Sequence, residues 1–281
     1  MMNNSYLLLL RPKQWLKNLI LLFPPFLGGQ LNSIEILQNG ILPISAFCMA
    51  SSSTYVLNDM MDRHIDALHP QKCNRPISLG KITLKSAYIM SLMLLLSSLV
   101  LALYISLDFG KLVFLYLAVS ILYSLRFKTV PVLDIFCISA GFLLRLQAGG
   151  AAFSVHISPW LFLSVFLLSV FLSAGKRLGE YKELGEYAAV HRKSLSHYPN
   201  GFLSSVMNVS GSAVIITYAM YSLSKPMLLY TVPLCLFGLL RYLLRVQNGQ
   251  NGDPTESLIK DKVLLFVSLI WVLMVAWSIY F

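Results

Sequence analysis

The sequence predicts an all-α, polytopic membrane protein, a bundle of nine transmembrane helices. Of its 281 residues, 57% are hydrophobic and only 12% are charged, and the mean hydropathy is +0.69. Soluble domains carry about 25% charged residues, so this composition excludes that class. The net charge of +10 does not indicate nucleic-acid binding, because basic residues of membrane proteins collect on the cytoplasmic side.

Nine apolar segments follow one another along the chain, and most approach the ~20 residues that a helix needs to cross a bilayer. They cover residues 14–31, 40–57, 83–107, 111–126, 131–151, 158–175, 201–222, 226–245 and 262–281. The first is interrupted by Pro24 and Pro25, which should kink it. The N-terminus lacks a long apolar region with a small-residue cleavage site, so no signal peptide is expected there.

Basic residues are distributed unequally between the two sides of these segments. One side carries nineteen of the 22 lysines and arginines, the other carries only Lys111 and Lys225, and Arg145 lies inside a segment. The positive-inside rule makes the base-rich side cytoplasmic. The N-terminus is therefore expected in the cytoplasm and, after nine crossings, the C-terminus outside. A single domain over 1–281 should have cytoplasmic loops at about 58–82, 176–200 and 246–261.

The first cytoplasmic connection concentrates acids, histidines and strong bases. At about 100° per residue, Asp59, Asp62 and Asp66 fall on one face of a helix. Carboxylates at this spacing repel one another unless a cation lies among them. Mg²⁺ is the expected cation, because it takes oxygen ligands and bridges one or two carboxylates to substrate phosphates. The alternative is a solvated acidic helix turn, and the bases that follow at once favour the metal site.

The second connection predicts another charged cluster. Lys176, Glu180 and Glu183 share a helix face, and Arg177 lies beside them. An ordinary i,i+4 pair such as Lys176–Glu180 on a solvated helix end would give the same pattern. The position of this cluster, four segments after the first, favours a role in the same site.

The third connection predicts the start of a helix. Asp253, Pro254 and Glu256 fit an N-cap, a proline at the first helical position and an acid at the third. An Asn/Gly run precedes them and should be flexible. We therefore expect a structural role for this connection.

Two other bases have more than one interpretation. Lys128 lies in a tight basic turn, where a lone base usually anchors to lipid headgroups. Its position on the same face as both acidic clusters also allows a phosphate-binding role. Arg145 lies on the order of 20 Å into the fifth segment. An intramembrane arginine normally faces a cavity or a partner. Asp134, eleven residues earlier, cannot reach it along the helix, so a polar cavity is inferred and its partner stays unnamed.

The four cysteines give no sign of a metal or redox site. Cys48, Cys137 and Cys235 lie in apolar segments, and Cys73 lies in the acidic connection. No two of them have the spacing of a metal-binding or dithiol motif. They are expected to be ordinary small side chains.

The pattern Asn58-Asp59-x-x-Asp62-x-x-x-Asp66 at the end of the second helix resembles the first aspartate motif of the UbiA-type intramembrane prenyltransferases. The resemblance implies a nine-helix bundle around a central cavity that opens sideways to lipid. Most members continue with Arg-Thr-x-x-Arg-Pro, whereas this chain has His69-Pro70-x-Lys72-x-x-Arg75-Pro76.

This departure is similar to the decaprenyl-phosphate phosphoribosyltransferase branch of the family. Four other stretches of the chain resemble the same branch. They are Arg11-Pro12-x-Gln14-Trp15-x-Lys17-Asn18, Tyr123-Ser124 with Lys128 and Asp134, Gly141-Phe142-x-x-Arg145 with Gly149-Gly150, and Gly175-Lys176-Arg177-x-x-Glu180. Phe127 departs from the aliphatic residue expected before the lysine. The second acidic site uses glutamate with bases, unlike the Asp-rich second motif of ordinary members.

The resemblance implies an enzyme of the cell membrane with a cytoplasmic active site. It would transfer 5-phosphoribose from phosphoribosyl diphosphate to a membrane polyprenyl phosphate and release diphosphate. Mg²⁺ would lie on Asp59, Asp62 and Asp66, the catalytic acids. The residues implied in substrate binding are Lys17, Asn58, Lys72, Arg75, Tyr123, Lys128, Asp134, Arg145, Lys176, Arg177 and Glu180.

Two other functions remain open. An ordinary UbiA-type polyprenyltransferase would use a similar magnesium site for a prenyl diphosphate and an aromatic acceptor, and the His69-Pro70-x-Lys72 run and the basic second cluster argue against it. A transporter or a non-catalytic lipid-binding protein is the second alternative. A transporter should place polar groups near the membrane midplane, whereas nearly all charge here is expected on one face.

Overall fold

The computed structural model describes residues 2–30, 34–185, 192–223 and 225–281, and these are almost entirely helical. No β-strand occurs in those four ranges. The all-α prediction is confirmed. Eleven α-helices occur in the described ranges: α1 Met2–Leu10, α2 Phe23–Leu27, α3 Ile34–Ala67, α4 Leu84–Ile105, α5 Leu107–Leu125, α6 Leu133–Phe153, α7 Pro159–Leu184, α8 Phe202–Ser222, α9 Val232–Gln247, α10 Pro254–Lys260 and α11 Lys262–Tyr280.

Within the described ranges, eight helices are long and apolar enough to cross a membrane. These candidate spans are Gly40–Ala67, Leu84–Ile105, Leu107–Leu125, Leu133–Phe153, Pro159–Leu184, Phe202–Ser222, Met227–Gln247 and Lys262–Tyr280. They correspond to the second to ninth predicted segments. The chain is therefore a multi-pass membrane protein.

The first predicted segment, 14–31, is not a continuous α-helix. Pro12–Leu22 forms a 3₁₀ helix of 11 residues, and α2 follows with 5 residues that include Pro24 and Pro25. At about 2.0 Å per residue for a 3₁₀ helix and 1.5 Å for an α-helix, the two would extend about 30 Å. That length matches the hydrocarbon core of a bilayer. The ninth crossing and the sidedness of the termini stay predictions.

Helices α3 and α7 both continue beyond the apolar segments from which they start. The 34 residues of α3 rise about 51 Å, far more than a bilayer requires. Its last ten residues therefore form a helical extension that carries the acidic motif, within the range 58–82 predicted as a loop. In the same way α7 runs on to Leu184.

Short capping side chains fix where several helices begin. The hydroxyl groups of Thr83, Ser106 and Ser158 accept hydrogen bonds from backbone N–H groups at the starts of α4, α5 and α7. Asp253 and Asp261 do the same for α10 and α11. These caps satisfy donors that have no partner within the helix. The predicted N-cap at Asp253, with Pro254 following, is confirmed.

Polar side chains lie inside the bundle and apolar ones on its surface, the reverse of the arrangement in a soluble protein. On α4, Ser91 and Ser98 are buried, whereas Leu96 and Val100 are exposed. Ser91 Oγ donates to the backbone oxygen of Ser53 on α3, 2.9 Å away. Because hydrocarbon offers no hydrogen-bond partners, polar side chains turn inward and apolar ones face lipid.

Close backbone contact places the N-terminal segment against α6. A Cβ atom on Gly149 would lie 2.2 Å from the backbone oxygen of Leu21. Only glycine allows this approach, because any Cβ would push the 3₁₀ helix away. Asn18, one turn earlier, is thereby held next to Arg145 of α6.

Gly149→Ala should destabilise the protein by about 1–3 kcal/mol, because the added methyl group overlaps backbone atoms that cannot rotate away. Gly238→Ala on α9 is the control, since its Cβ would lie 3.9 Å from Leu264 Cδ1, an ordinary contact. The thermal unfolding midpoint of purified protein measures both. An unchanged midpoint in Gly149→Ala would contradict the described packing of the 3₁₀ helix.

Candidate active site

A cavity of about 240 Å³ opens among α3, α5, α6, α7 and the 3₁₀ helix. Eight bases and three acids line it: Arg11, Lys17, Lys72, Arg75, Arg145, Lys176, Arg177 and Arg192, with Asp62, Asp66 and Glu180. The two charged clusters, more than 100 residues apart in sequence, therefore meet in one site. Of the predicted site residues, Asp59, Lys128 and Asp134 lie just behind its wall.

Each acid of the first motif contacts a base. Asp59 forms a salt bridge with Arg11, and its Oδ1 also accepts from Arg75 at 2.9 Å. Arg75 pairs with Asp66 as well. The motif is thus held by bases from the N-terminal segment and from the loop after α3. Asp59 is 2% and Asp66 3% exposed, so both carboxylates are removed from water and depend on these bases for compensation of their charge.

Lys128 reaches back to the same helix from the turn after α5. It forms a salt bridge with Asp62, and its ammonium lies 3.3 Å from Asn58 Oδ1. Asn58 in turn donates to Asp62 Oδ2 at 3.0 Å. Lys128 therefore points toward the acidic motif. A lysine that anchors to lipid headgroups would project outward instead.

Magnesium fits the chemistry of this motif, although the motif does not form a complete metal cage. The described residues contain no group of three or more His, Cys, Asp or Glu side chains close enough to hold a metal ion. Mg²⁺ commonly takes only one or two carboxylates and completes its shell with water and substrate phosphates. Asp59, Asp62 and Asp66 supply such oxygens on one helix face. These acids would hold the ion together with a diphosphate.

Arg177 is the centre of the second cluster. The side chain is 1% exposed and donates to Asp134 Oδ2 at 2.8 Å, Glu180 Oε2 at 2.9 Å and the Tyr123 hydroxyl at 3.0 Å. Arg192 adds a second guanidinium, 3.0 Å from the Tyr123 hydroxyl and 3.4 Å from Glu180 Oε2. Two arginines thus share one glutamate at the cavity wall.

Asp134 has no exposed surface and is enclosed behind Arg177. Its carboxylate also accepts from the Tyr198 hydroxyl at 2.6 Å and the Ser194 hydroxyl at 3.2 Å. With these donors arranged around it, Asp134 positions the guanidinium and is out of reach of a ligand in the cavity. Its predicted part in substrate binding would be indirect.

The Lys176–Glu180 pair considered for the second connection does not form. Lys176 instead donates to Asp253 Oδ2 at 3.1 Å. Glu183 is exposed and accepts a hydrogen bond from Gln71, which links α7 to the loop after α3. Lys176, Arg177 and Glu180 of the second connection therefore line the same cavity as the acidic motif.

Lys72 comes from the same loop and also lines the cavity. Burial lowers its pKa, and the nearby Arg192 lowers it further, although Glu180 opposes this shift. A lysine whose charge is disfavoured gains from an anion placed beside it. The phosphate contact expected of Lys72 stays a prediction.

Arg145 lies deep in the cavity, and its contacts supply the partners that the sequence left unnamed. Its Nε donates to Asn18 Oδ1 at 2.8 Å, and its two terminal nitrogens donate to the Tyr116 hydroxyl and the Gly141 oxygen, both at 2.9 Å. The guanidinium also lies 4.6 Å from the centre of the Tyr116 ring. The inferred polar cavity is present.

Three charged residues were not among the predicted site residues: Arg11 and Arg192, which line the cavity, and Asp253, which pairs with two lysines of its lining. Arg11 has φ 54°, a left-handed conformation that is uncommon outside glycine and often marks functional sites. The pattern that places Asp253 at an N-cap gave no reason to expect a second contact. Arg192 follows residues 186–191, outside the described ranges, and no motif drew attention to it.

A family model described as the UbiA prenyltransferase family matches residues 22–270. The chain belongs to the UbiA prenyltransferase family. The resemblance inferred from the aspartate motif is therefore confirmed. Membership in this family favours a transferase over the transporter and lipid-binding alternatives.

Several relatives align with nearly the whole chain. The decaprenyl-phosphate phosphoribosyltransferase of Mycolicibacterium smegmatis is 32% identical, with 96% of this chain and 91% of the relative aligned. The protein of the same name from Corynebacterium glutamicum is 33% identical, covering 96% of this chain and 85% of the relative. That from Mycobacterium tuberculosis strain H37Rv is 30% identical, covering 97% and 93%.

Solved UbiA structures share the fold. A UbiA homologue from Archaeoglobus fulgidus bound to GPP and Mg²⁺ has a TM-score of 0.76 at 21% identity, covering 98% of this chain and 99% of that chain. A structure of digeranylgeranylglyceryl phosphate synthase has a TM-score of 0.70 at 20% identity, covering 99% of each chain. The helical bundle of this chain is thus the UbiA fold.

Asp134→Asn should lower the stability of the bundle by about 3 kcal/mol or more, because it removes a buried anion from Arg177. Asp108→Asn is the matched control: its pair with Lys111 is exposed, so its loss should change little. Thermal unfolding in detergent compares the two. Equal midpoints for the two variants would show that Asp134 does not hold the second cluster together.

Proposed function

We propose that this UbiA-family protein transfers 5-phosphoribose from phosphoribosyl diphosphate to a membrane polyprenyl phosphate and releases diphosphate. The observation that carries the proposal is the charge of the cavity, which is lined by eight bases and only three acids. A phosphoribosyl donor carries both a diphosphate and a 5-phosphate, and the acceptor adds a third phosphate group. A prenyl diphosphate with an aromatic acceptor would bring a single diphosphate.

The distribution of these bases supports the same conclusion. Arg11 and Arg75 form salt bridges with acids of the first motif, and Lys72 comes from the same loop as Arg75. Lys17 and Lys176 pair with Asp253 instead, and Arg145 forms no salt bridge with an acid among the described residues. One group would serve a diphosphate next to a metal, and the other would serve a phosphate without a metal. The relatives named decaprenyl-phosphate phosphoribosyltransferase, at 30–33% identity, support this assignment independently.

Mg²⁺ is the proposed cofactor, held by Asp59, Asp62 and Asp66 in the manner described above. The family's solved structures include complexes with Mg²⁺, which supports a divalent ion here. When bound, the ion would neutralise charge on the departing diphosphate. Arg11, Arg75 and Lys128, which pair with these acids in the structure, would then be free to contact phosphate oxygens.

The reaction breaks the bond between ribose C1 and the diphosphate oxygen and forms a bond from C1 to an oxygen of the acceptor phosphate. Positive charge develops on the ribosyl centre, and the carboxylates at the cavity would stabilise it electrostatically. The acceptor phosphate is already an anion, so no general base is required. Tyr123 and Glu180 would orient Arg177 and Arg192 toward a phosphate.

We place the protein in the cell membrane with this cavity on the cytoplasmic side. The positive-inside asymmetry of the chain supports that orientation. It lets a water-soluble, anionic donor enter from the cytoplasm while the polyprenyl tail of the acceptor stays in lipid. The N-terminus would be cytoplasmic and the C-terminus outside, with the 3₁₀ segment and α2 as the ninth crossing.

An ordinary prenyltransferase is the second candidate. It is favoured by one observation, the likeness of the fold to a UbiA homologue bound to GPP and Mg²⁺. A likeness at 21% identity shows the fold and leaves the donor open. The two candidates differ in whether the donor has a phosphate besides its diphosphate.

Asp62→Asn should reduce turnover by at least a hundredfold and leave the bundle folded, because a neutral amide cannot hold Mg²⁺ beside a diphosphate. Activity as a function of Mg²⁺ concentration measures this, with Asp108→Asn as the control at an exposed acid outside the cavity lining. Full activity of the unaltered protein in EDTA would contradict the magnesium assignment.

Donor identity gives the decisive test of the function. Purified protein with Mg²⁺, labelled phosphoribosyl diphosphate and a polyprenyl phosphate should yield a lipid-linked phosphoribose. A polyprenyl diphosphate offered with aromatic acids should yield no product. If only the polyprenyl diphosphate with the aromatic acid gave a product, the protein would be an ordinary prenyltransferase. The additional bases would then serve only to anchor the protein at the membrane surface.

A further inference from the structure

The inner part of the cavity holds an arginine without an anionic partner among the described residues. Arg145 is 5% exposed, and all three of its hydrogen-bond acceptors, from Asn18, Tyr116 and Gly141, are neutral. A guanidinium buried without an anion is costly, and in membrane proteins such a group normally faces a partner or a water-filled cavity. Arg145 faces the cavity, so a ligand can supply the missing charge.

Two lysines near Arg145 share a single carboxylate oxygen. Lys176 Nζ lies 3.1 Å and Lys17 Nζ lies 3.9 Å from Asp253 Oδ2. Both lysines line the same cavity, and Lys17 directly precedes the asparagine that binds Arg145. Asp253 therefore bridges the two lysines, whereas Arg145 has no acid among its hydrogen-bond partners in the described residues.

The carboxylate that bridges these lysines is fixed by its own helix. Asp253 Oδ1 accepts from the backbone N–H groups of Thr255 and Glu256 at 3.0 and 3.3 Å, which leaves only Oδ2 for the lysines. Burial raises the pKa of Asp253, but Lys176 and Lys17 outweigh it and lower the pKa to about 2. The carboxylate is therefore an anion at neutral pH.

Backbone packing holds the loop before Asp253 against α7. A Cβ atom on Gly252 would lie 2.3 Å from the backbone oxygen of Gly175, and the Tyr242 hydroxyl donates to the Gly252 oxygen at 2.6 Å. The end of the Asn/Gly run, which the sequence predicted to be flexible, is thus packed against α7, and it brings Asp253 to the bases of the cavity. Asp253 Oδ2 is thereby held near the ammonium groups of both lysines.

We propose that Lys17, Arg145 and Lys176 form a metal-independent subsite for a phosphate monoester, and that Asp253 is the resident anion with which the phosphate competes for the two lysines. A phosphate monoester carries up to two negative charges, which would compensate bases that Asp253 alone does not balance. Its terminal oxygens suit both an arginine fork and lysine ammonium groups.

The three bases of this subsite differ in their partners from the bases that hold the first motif. Among the described residues, no salt bridge joins Lys17, Arg145 or Lys176 to an acid of the first motif. The inference rests on the proposed function for its ligands, which are the 5-phosphate of the donor and the phosphate of the lipid acceptor. Both are phosphate monoesters, so the proposed subsite fits either of them.

Calorimetry on the full-length protein in lipid nanodiscs tests the subsite without turnover. Three probes are titrated: ribose 5-phosphate, a short-chain polyprenyl phosphate, and diphosphate with Mg²⁺. Lys17→Gln should weaken binding of a monoester probe by about ten- to a hundredfold, the usual effect of losing a charge-assisted contact. Binding of diphosphate with Mg²⁺ should stay within about twofold. Arg145→Gln should give the same pattern.

Asp253→Asn gives a test of opposite sign. Asparagine caps a helix about as well as aspartate, so α10 is preserved while the competing charge is removed. Binding of the monoester should become several-fold tighter. The matched control is Asp261→Asn, which also neutralises an N-cap paired with two bases, Arg241 and Arg245, away from the cavity lining. That variant should leave monoester binding unchanged.

The two probes separate the possible sources of the phosphate. Weakened binding of ribose 5-phosphate alone assigns the subsite to the donor, and weakened binding of the polyprenyl phosphate alone assigns it to the acceptor. Unchanged binding of both in Lys17→Gln and Arg145→Gln, or weaker binding in Asp253→Asn, would overturn the subsite. A protein that binds the monoester as expected but transfers no phosphoribose would overturn the proposed function and leave the subsite in place.

Discussion

Compensation of charge inside an apolar bundle is the constraint on which this structure depends. An ion out of contact with water needs a partner of opposite sign. The acids on the end of α3 meet this need through Arg11, Arg75 and Lys128, which come from three different parts of the chain. Those pairs tie the N-terminal segment, the loop after α3 and the turn after α5 to one helix. The charged residues proposed to carry out the chemistry therefore also hold the parts of the site together.

The same pairs give the site a second state. Bases that hold carboxylates here carry the hydrogen-bond donors that phosphates accept, and the carboxylates carry the oxygens that a magnesium ion takes. When a metal ion binds with a diphosphate, the carboxylates would pair with the ion and the bases would pair with the diphosphate. Few charges would then be left without a partner. Asp134 is different, because it is enclosed by Arg177, Tyr198 and Ser194 and serves as a fixed support.

Local patterns predicted much of this structure. The 3.6-residue period placed the acidic motif on one helix face, and hydropathy located eight of the nine proposed crossings. Long-range partners could not be predicted, since Arg11 meets Asp59 across 48 residues and no periodicity encodes that contact. The second role of Asp253 was hidden, because helix capping already explained an acid there. The first segment was taken for an α-helix because hydropathy does not distinguish the 3₁₀ geometry found over Pro12–Leu22.

The central claim is that two kinds of phosphate site, one beside the acidic motif and one made of bases, lie in a single cavity. A structure of the protein with Mg²⁺ and a non-reacting analogue of phosphoribosyl diphosphate tests it most directly. The account predicts the metal and the diphosphate at Asp59 and Asp62, with any 5-phosphate or acceptor phosphate held by bases alone. An analogue bound outside the cavity, or a metal bound away from α3, would contradict it.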